Sequence, residues 1–485
     1  MVLRSLGEEG SIWGKRGLIA LGTGLVAATA VAGGLASPAP GAVNWSAYLK
    51  GSGHSSTNAA ATAITPSNVP SLSVAWTWKP NAPTQAGQPS AQLYASPTVR
   101  NGVVYIGANT GEFYALDEKT GSVLWHRFLG FVTRKTLSAR GISSTATVAR
   151  NPKTKRLNVY VAGGDGYLYA LRASDGATVW RSPVAIPSTT VNDYYNWGSP
   201  TVAGGRIYMG ISSQGDNPLV RGGVRTFNQA TGAVVHTYYA MPEGTKGASV
   251  WSSIGADRAG TEAYVTTGNP SKADPGDGNA IVKLDHNGLK VSVWRVPAAE
   301  QVFDSDFGAS PTLFSDVRNG AHMNLIGACN KNGIFYTLRR GHIAAGPVWQ
   351  RRLGKPSTEG PGLCLAAAIW DGSRLFVTGS GTTIDGTAYR SSIRRLKPAT
   401  GAIVWQRGLE ATVFGTPSLN GSNVIAAASY DNGGSNFLYF LDARTGEILR
   451  RITVSGNEFA QPVFADGYLM FARVGGGLRA YKVGP

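Results

Sequence analysis

The chain of 485 residues is poor in the residues from which many catalytic and metal-binding motifs are built, with two Cys and six dispersed His. It contains no Gly-x-Ser-x-Gly, no His-Glu-x-x-His and no phosphate-cradling glycine loop, which disfavours hydrolase and nucleotide chemistry. It also lacks Cys-x-x-Cys-His, which argues against a covalently attached haem. Any redox chemistry would therefore have to pass electrons to a separate carrier.

Helical periodicity and acidic charge are scarce as well. Beyond residue 40 no apolar period of helical spacing lasts more than a few turns, which argues against a Rossmann or barrel enzyme. The 28 acidic residues are outnumbered by 45 basic ones, giving a formal net charge of +17. The basic residues form no stripe interleaved with aromatics, so nucleic acid is a disfavoured partner. In an exported protein this charge favours association with anionic cell-surface polymers or with an acidic electron acceptor.

The first 42 residues differ from the rest of the chain. Arg4, Lys15 and Arg16 precede an uncharged run over residues 17–42 that is rich in Gly, Ala and aliphatic residues. A basic segment followed by an apolar one predicts a signal peptide. An uncleaved membrane anchor is the alternative, because about 20 apolar residues can span a bilayer. We therefore predict a signal peptide or N-terminal anchor over 1–42 and a single domain over 43–485.

A repeat organises the remainder. The phrase Leu-Asp-x-x-Thr-Gly-x-x-x-Trp at residues 116–125 returns every ~45 to 60 residues, a period typical of stacked structural units. A Gly stands four residues before Trp in three copies, and the offset survives where Trp is replaced: Gly121, Gly176 and Gly401 before Trp, Gly232 before His, Gly446 before Arg.

Each unit predicts four short strands. In the first unit these lie near residues 96–99, 103–107, 113–117 and 123–125, rich in β-branched and aromatic residues and separated by Asn-Gly, polar and Thr-Gly turns. Such a unit is an antiparallel meander, and one four-stranded sheet cannot cover both of its faces. Units at this period bury their faces against one another in a radial β-propeller.

Counting the units predicts the ring. Eight innermost strands are expected near Ser96, Thr145, Ser199, Trp251, Ser310, Leu365, Thr416 and Gln461. The last unit, at 459–483, has only three strands, and the alternating segment 72–78 can supply the fourth. The sequence therefore predicts an all-β fold, an eight-bladed β-propeller of four-stranded antiparallel blades whose ring is closed by an N-terminal strand.

Four unusual residues fall on one face of this ring. If innermost strands start at the face that we call the top, second and fourth strands end there. Trp251 opens an innermost strand in this interpretation, Asn269 follows the second strand of the same blade, Asp306 lies in the connection to the next blade, and Lys331 follows that blade's second strand. One aromatic plane, one amide, one carboxylate and one ammonium are thus predicted to converge.

Here the chain resembles the eight-bladed quinoprotein alcohol dehydrogenases that use pyrroloquinoline quinone (PQQ) and calcium, including their polyvinyl-alcohol dehydrogenase-like members. Trp251 stands eighteen residues before the Asn of Thr-Gly-Asn-Pro at 267–270, as the family's cofactor-stacking Trp does before its calcium-binding motif. Residues 304–308, Asp-Ser-Asp-Phe-Gly, are similar to the segment with the family's catalytic Asp, and 330–336 to the segment with its quinone-contacting cation. Arg140-Gly141 resembles a further cofactor contact.

The resemblance implies a role for each of these residues. Asp306 would be the general base, Trp251 the floor beneath the cofactor, and Lys331 and Arg140 its cationic contacts. A calcium ion prefers hard oxygen ligands and would act as a Lewis acid. The family's calcium-binding Glu is replaced here by Gln214 and Asp216, so the implied metal ligands are Asn269, Asp306 and Asp216.

The two Cys have no counterpart in the family's vicinal pair. Cys329 ends a second strand and Cys364 opens the next blade's innermost strand on the same face, so a disulfide between them is geometrically feasible and would suit an exported protein. Two buried free thiols are the alternative.

Two functions remain open at this stage. The first is an exported PQQ- and calcium-dependent dehydrogenase that oxidises a small or polymeric alcohol and passes electrons to a separate acceptor. The second is a propeller without cofactor that serves as a binding or assembly scaffold at the cell envelope. Fold alone does not separate them.

Overall fold

Strands grouped in eight sheets make up the computed structural model, which describes residues 41–133, 138–188, 191–271, 274–356, 358, 363–431, 434–456 and 459–484. The predicted signal peptide or anchor covers residues 1–42. Residues 1–40 lie outside the described part of the chain. The helical segments of the described part are short 3₁₀ turns, namely Tyr48–Lys50, Val69–Ser71, Ala298–Glu300 and Ile343–Ala345. Within the same residues there is no helix with the length and apolar character to cross a membrane.

The strands follow the predicted repeat. Two strands precede the first full blade: β1 (Thr57–Asn58) and β2 (Leu72–Trp78). Blades 1 to 4 contain β3 (Thr98–Arg100), β4 (Val103–Gly107), β5 (Glu112–Asp117), β6 (Val123–Phe128); β7 (Thr147–Arg150), β8 (Leu157–Ala162), β9 (Tyr167–Arg172), β10 (Thr178–Pro183); β11 (Thr201–Ala203), β12 (Arg206–Ile211), β13 (Gly223–Asn228), β14 (Val234–Tyr239); β15 (Gly255–Ala256), β16 (Glu262–Thr266), β17 (Ala280–Asp285), β18 (Lys290–Arg295).

Blades 5 to 8 continue the same order. They contain β19 (Thr312–Arg318), β20 (Ala321–Cys329), β21 (Ile334–Arg339), β22 (Pro347–Arg352); β23 (Ile369–Trp370), β24 (Leu375–Ile384), β25 (Thr387–Leu396), β26 (Ile403–Leu409); β27 (Ser418–Asn420), β28 (Val424–Ala428), β29 (Asn436–Asp442), β30 (Ile448–Val454); β31 (Val463–Ala465), β32 (Tyr468–Arg473), β33 (Gly477–Val483). Each blade is an antiparallel sheet in which consecutive strands pair.

Burial follows position in the blade. Every residue of the second strands β4 and β28 is buried, whereas most residues of the outer strand β6 are exposed. Both faces of a second strand are covered by the neighbouring blades, so β4 and β28 consist of continuous apolar residues. The core therefore forms a series of clusters between adjacent blades, as around Val104, Tyr114 and Met470 where blade 8 meets blade 1.

The Trp of the repeat holds neighbouring blades together. Trp125 of blade 1 packs on the Asp-Gly turn of blade 2, where its Nε1 donates to Ala173 O at 3.1 Å. In that turn Gly176 has φ +71°, and a Cβ there would lie 2.5 Å from the indole ring. Both the left-handed backbone and the ring contact require glycine. The same contact joins Trp349 to Gly401, and Trp405 to Gly446.

The N-terminal strand closes the ring, which confirms the prediction. Strand β2 pairs antiparallel with β33, and the register runs from Leu72 opposite Val483 to Trp78 opposite Leu478. Trp76 of β2 then packs on the turn of blade 1, where its Nε1 donates to Glu118 O at 2.9 Å. Closure therefore uses the same Trp contact that joins the other blades.

Residues 45–58 form a feature that the sequence analysis did not predict. This segment hydrogen bonds to the innermost strands of several blades: Val148 N donates to Ser46 O, Ala256 N to Ser52 O, Leu313 N to Gly53 O and Leu419 N to Ser56 O. Its strand β1 pairs parallel with β27. Because contacts with innermost strands converge on the ring axis, the segment lies across the central channel.

The innermost strands begin slightly later than predicted. They start two residues beyond the expected positions in most blades and four beyond them in blades 4 and 6. Trp251 therefore precedes β15 and does not open it. The reason is that Val250 N donates to Ile211 O of blade 3 at 3.0 Å, so residues around Trp251 belong to the connection between the two blades.

Candidate active site

One cavity of about 680 Å³ at the top of the channel brings the sequence-predicted residues together. Its walls include every residue assigned to the cofactor, the metal or catalysis: Arg140, Asp216, Trp251, Asn269, Asp306 and Lys331. These residues come from the connection between blades 1 and 2, from the loop after β12, and from the top-face loops of blades 4 and 5.

Asp306 is the buried acid of this cavity, with 5% of its surface exposed. Trp251 Nε1 donates to its Oδ2 at 2.9 Å, and Lys331 Nζ lies 2.5 Å from its Oδ1. Burial raises the pKa of Asp306 to about 6, while the adjacent Lys331 opposes that rise. The carboxylate is therefore in its basic form near neutral pH, and weak enough as an acid to accept a proton.

Lys331 joins two carboxylates. Besides Asp306, its Nζ contacts Asp304 Oδ1 at 3.0 Å and Oδ2 at 3.1 Å. The ammonium also lies 5.1 Å from the centre of the Trp251 ring. Burial alone would lower the pKa of Lys331, but the charges of Asp306 and Asp304 outweigh it and the net shift is upward. Lys331 is therefore charged at neutral pH, where Asp306 is ionised.

Asp304 is a site residue to which sequence reasoning gave no role. Its Oδ1 accepts a hydrogen bond from Asn269 Nδ2 at 2.8 Å as well as from Lys331. The backbone of Asp304 is left-handed, with φ +57°, which is uncommon for a residue other than glycine. The only signal in the sequence was its place two residues before Asp306. Asp304 thus connects the amide of blade 4 to the ammonium of blade 5.

Two glycines allow this close packing. Gly268, beside Asn269, donates its N–H to Ser249 O, and a Cβ there would lie 3.0 Å from that oxygen and 3.4 Å from Asp306 Oδ2. A Cβ on Gly308 would lie 2.3 Å from the Trp251 ring. A side chain at either position would crowd Asp306 or Trp251, which explains the glycines in the motifs Thr-Gly-Asn-Pro and Asp-Phe-Gly.

Arg140 enters the cavity from the blade 1 to blade 2 connection. Its guanidinium lies near two rings, 4.8 Å from the centre of Tyr94 and 5.3 Å from that of Trp197. Its Nε is buried and has no hydrogen-bond partner within the described residues. A buried cationic donor in this state is suited to an anionic ligand.

The predicted metal ligands are less tightly assembled. Asp216 is exposed, whereas Gln214 is buried and donates Nε2 to Ser138 O at 2.8 Å. The carboxylates of Asp304 and Asp306 are both in contact with Lys331. Across the described part of the chain, no three His, Cys, Asp or Glu side chains form a group able to hold a metal ion. The roles of Asn269, Asp306 and Asp216 as metal ligands stay a prediction.

The disulfide prediction is confirmed. Cys329 and Cys364 are bonded across a Cα–Cα distance of 5.6 Å and join the end of β20 to the connection that leads into β23. Lys331 is two residues beyond the first Cys and Leu365 one beyond the second, and both side chains line the cavity. The disulfide therefore fixes the wall of the cavity between blades 5 and 6.

Comparison with family models places most of the chain among known propellers. The PQQ model, described as the β-propeller domain of glucose, ethanol and alcohol dehydrogenases, matches residues 45–342. The model of the outer membrane protein assembly factor BamB matches residues 344–449 and 389–483.

Individual proteins agree with these models. The chain is 27% identical, over 312 residues, to the quinohemoprotein alcohol dehydrogenase ADH IIB of Pseudomonas putida, a match that covers 57% of this chain and 43% of that protein. Thus the chain spans less than half the length of that curated relative. The structure superposes on quinohemoprotein alcohol dehydrogenase from Comamonas testosteroni with a TM-score of 0.68 at 18% identity, covering 91% of this chain and 81% of the other. For a europium-containing methanol dehydrogenase the TM-score is 0.69 at 15% identity, with coverages of 90% and 98%.

Proposed function

Because the chain belongs to the PQQ family of glucose, ethanol and alcohol dehydrogenase β-propeller domains, we propose that it is an exported quinoprotein-type dehydrogenase. It would oxidise an alcohol with PQQ and calcium and pass the electrons to a separate acceptor. The observation that carries this proposal is the position of Asp306: a buried carboxylate with a pKa near neutrality, held between Trp251 and Lys331 in a cavity of cofactor size.

The size and the charge of the cavity support the proposal that it binds PQQ. PQQ is a planar tricyclic quinone with three carboxylates, and a volume of about 680 Å³ falls within the ~300–1,000 Å³ usual for cofactor and ligand sites. Trp251 offers an aromatic plane, while Lys331 and Arg140 supply positive charge from different blades. The Arg140 Nε without a partner supports the assignment of an anionic ligand. When bound, PQQ would supply the two-electron acceptor that the side chains lack.

Asp306 would act as the general base. Its pKa of about 6 keeps it ionised at neutral pH and yet close enough to the working pH for efficient proton transfer. Trp251 Nε1 holds Oδ2, which fixes the orientation of the carboxylate. The alcohol proton would move to a carboxylate oxygen of Asp306, and Lys331 would keep its positive charge beside that carboxylate.

We propose that calcium is held by Asn269 and Asp306, with Asp216 as the third protein ligand. The donor set fits in chemical type, since an amide oxygen and carboxylates are hard ligands that calcium prefers. Calcium would supply Lewis acidity next to the carboxylate. Gln214 stands where the resemblance expects a Glu, and Asp216, whose carboxylate would take the place of that Glu, is exposed. We therefore expect weaker calcium binding than a site with that Glu would have.

Partners follow from the same proposal. The chain has no Cys-x-x-Cys-His, so the electrons would leave to a separate protein. A formal charge of +17 favours an acidic acceptor, and the same charge would attract anionic polymers of the cell surface. Both attractions would weaken as salt rises. Export through residues 1–42 would bring the chain to this compartment.

A cofactor-free scaffold at the cell envelope is the second candidate. The observation that favours it is the match of residues 344–449 and 389–483 to the model of BamB, an outer membrane protein assembly factor. A scaffold has no need of a buried carboxylate whose pKa lies near neutrality. For this reason we place the dehydrogenase first.

The test is titration of the purified protein with PQQ, with and without calcium, followed by cofactor absorbance and by dye reduction with a panel of alcohols. We expect saturable binding and alcohol-driven dye reduction that Asp306→Asn abolishes. Asp442→Asn is the matched control, because the Asp442 side chain is 6% exposed against 7% for Asp306 and is also paired with one cation, Arg444. It should leave dye reduction unchanged. Absence of PQQ binding at tens of micromolar quinone would instead favour the scaffold.

A further inference from the structure

We infer that four aromatic side chains on the wall of the cavity bind the carbon skeleton of the substrate, which selects alcohols with a long alkyl chain or a ring. This inference rests on the proposed function and deepens it by naming the substrate class. The four residues, which we call the aromatic arc, are Tyr94, Phe414, Tyr430 and Phe459.

The aromatic arc is continuous. The ring centres of Phe414 and Tyr430 are 5.4 Å apart, those of Tyr430 and Phe459 4.4 Å, and those of Phe459 and Tyr94 6.4 Å. The four residues come from the top-face connections of blades 7, 8 and 1, whereas Trp251, Asp306 and Lys331 belong to blades 4 and 5. The arc is therefore across the cavity from the proposed base.

The cofactor contacts proposed above do not use most of this wall. Trp251 and Lys331 lie on one side of the cavity, and Arg140 stacks on Tyr94 at only one end of the arc. From Tyr94 the arc leads away from Arg140 to Phe414. Leu365, in the connection between blades 5 and 6, also lines the cavity. A Cβ added at Gly308 would touch both the Leu365 side chain and the Trp251 ring, so Leu365 lies close to Trp251. Leu365 thus adds apolar surface to the cavity wall in the connection between blades 5 and 6, which lies between the proposed base and Phe414 in the order of the blades.

The arc keeps apolar surface in contact with the cavity. Phe459 is 41% exposed, and the other three rings are half-buried. A core aromatic is normally covered by apolar neighbours on both sides, whereas these rings face an open volume. A ligand that covers them with its own carbon atoms removes apolar surface from water, which is favourable. A one-carbon or two-carbon alcohol held at Asp306 is too short to do so.

The test measures kcat/KM for straight-chain primary alcohols from ethanol to octanol with the PQQ-loaded protein. We expect a rise of about fourfold for each added methylene that reaches the arc, which corresponds to the ~0.8 kcal/mol of a buried methylene. Phe459→Ala and Tyr430→Ala should flatten this rise and leave the value for ethanol within about twofold. Phe128→Ala is the matched control, since Phe128 is 43% exposed but lies on the outer strand β6.

A binding measurement separates this inference from the proposed function. Calorimetry with tertiary alcohols of increasing chain length, which cannot be oxidised because their carbinol carbon carries no hydrogen, should show affinity that rises with length in the wild type and less in Phe459→Ala. Equal kcat/KM for ethanol and octanol, or a Phe459→Ala effect that is the same for all alcohols, would overturn the inference. So would a Phe459→Ala effect confined to PQQ affinity. Failure of the proposed function would look different: no PQQ binding and no oxidation of any alcohol.

Discussion

Replacing Lys331 by Gln should move the pH dependence of the proposed reaction to higher pH. Lys331 Nζ lies 2.5 Å from Asp306 Oδ1, and this positive charge opposes the rise in the Asp306 pKa that burial causes. Gln retains a polar group of similar length without the charge. With the ammonium gone, burial and the neighbouring Asp304 would both raise the Asp306 pKa, opposed by the hydrogen bond from Trp251.

The size of the shift can be bounded. An opposite charge within hydrogen-bond distance lowers a carboxyl pKa by about 1–3 units, so the Asp306 pKa should rise from about 6 to ~7–9 in Lys331→Gln. With a pKa of ~8, only about a tenth of Asp306 would be ionised at pH 7. We therefore expect kcat/KM at pH 7 to fall about tenfold and to recover as the pH rises.

The assay is the pH profile of kcat/KM for the PQQ-loaded protein, whose acid limb reports the base in the free enzyme. A carboxyl titration by infrared difference spectroscopy of the cofactor-free protein gives a second readout that does not need turnover. Lys283→Gln is the control, because Lys283 is 17% exposed, against 12% for Lys331, and pairs with Glu262 away from the cavity. Lys331→Arg should keep the limb near its original position. An acid limb that stays near pH 6 in Lys331→Gln would refute the reasoning.

Three further results are expected. Burial raises the pKa of Asp306 from 3.8 to about 6, so the ionised carboxylate destabilises the fold above pH 6. Asp306→Asn should therefore increase the free energy of unfolding, measured in urea, by up to about 3 kcal/mol at pH 8 and by little at pH 4. Gln214→Glu should restore a carboxylate to the cavity and tighten calcium binding at least tenfold by calorimetry, whereas equal affinity would place the ion elsewhere. The double change Cys329→Ser and Cys364→Ser opens a link between residues 35 apart and should lower the free energy of unfolding by about 4 kcal/mol.

The ring was predictable because its signals are local and repeated. The offset from Gly121 to Trp125 recurs because each Trp of the repeat packs on the Gly turn of the next blade, as Trp125 does on Gly176. A contact between neighbours in a chain of identical units appears in the sequence as a fixed spacing. The closing strand was predictable for the same reason, since Trp76 makes this contact with the turn of Gly121.

The parts that sequence reasoning missed depend on single, long-range contacts. Ser46 and Ser56 accept hydrogen bonds from innermost strands more than 100 and 300 residues away, and nothing near them in the chain marks that role. Tyr94, Phe414 and Phe459 lie in the connections that lead into innermost strands, and nothing in the sequence shows that their rings meet on one wall of the cavity. Asp304 has a left-handed backbone and two side-chain partners that only the folded ring brings together. Residues that occur once leave no periodic signal.

The electrostatics of the cavity argue that its arrangement exists for chemistry and not for stability. A carboxylate that is 5% exposed is costly to keep ionised, and the upward shift in its pKa shows that Lys331 only partly offsets burial. A fold selected for stability alone would place an amide or an apolar residue at Asp306. Here the carboxylate also accepts a hydrogen bond from Trp251, which fixes its direction toward the cavity. A buried and oriented carboxylate with a pKa of about 6 is suited to act as a general base, and Asp306→Asn tests the point directly, because one substitution should raise stability while it removes alcohol oxidation.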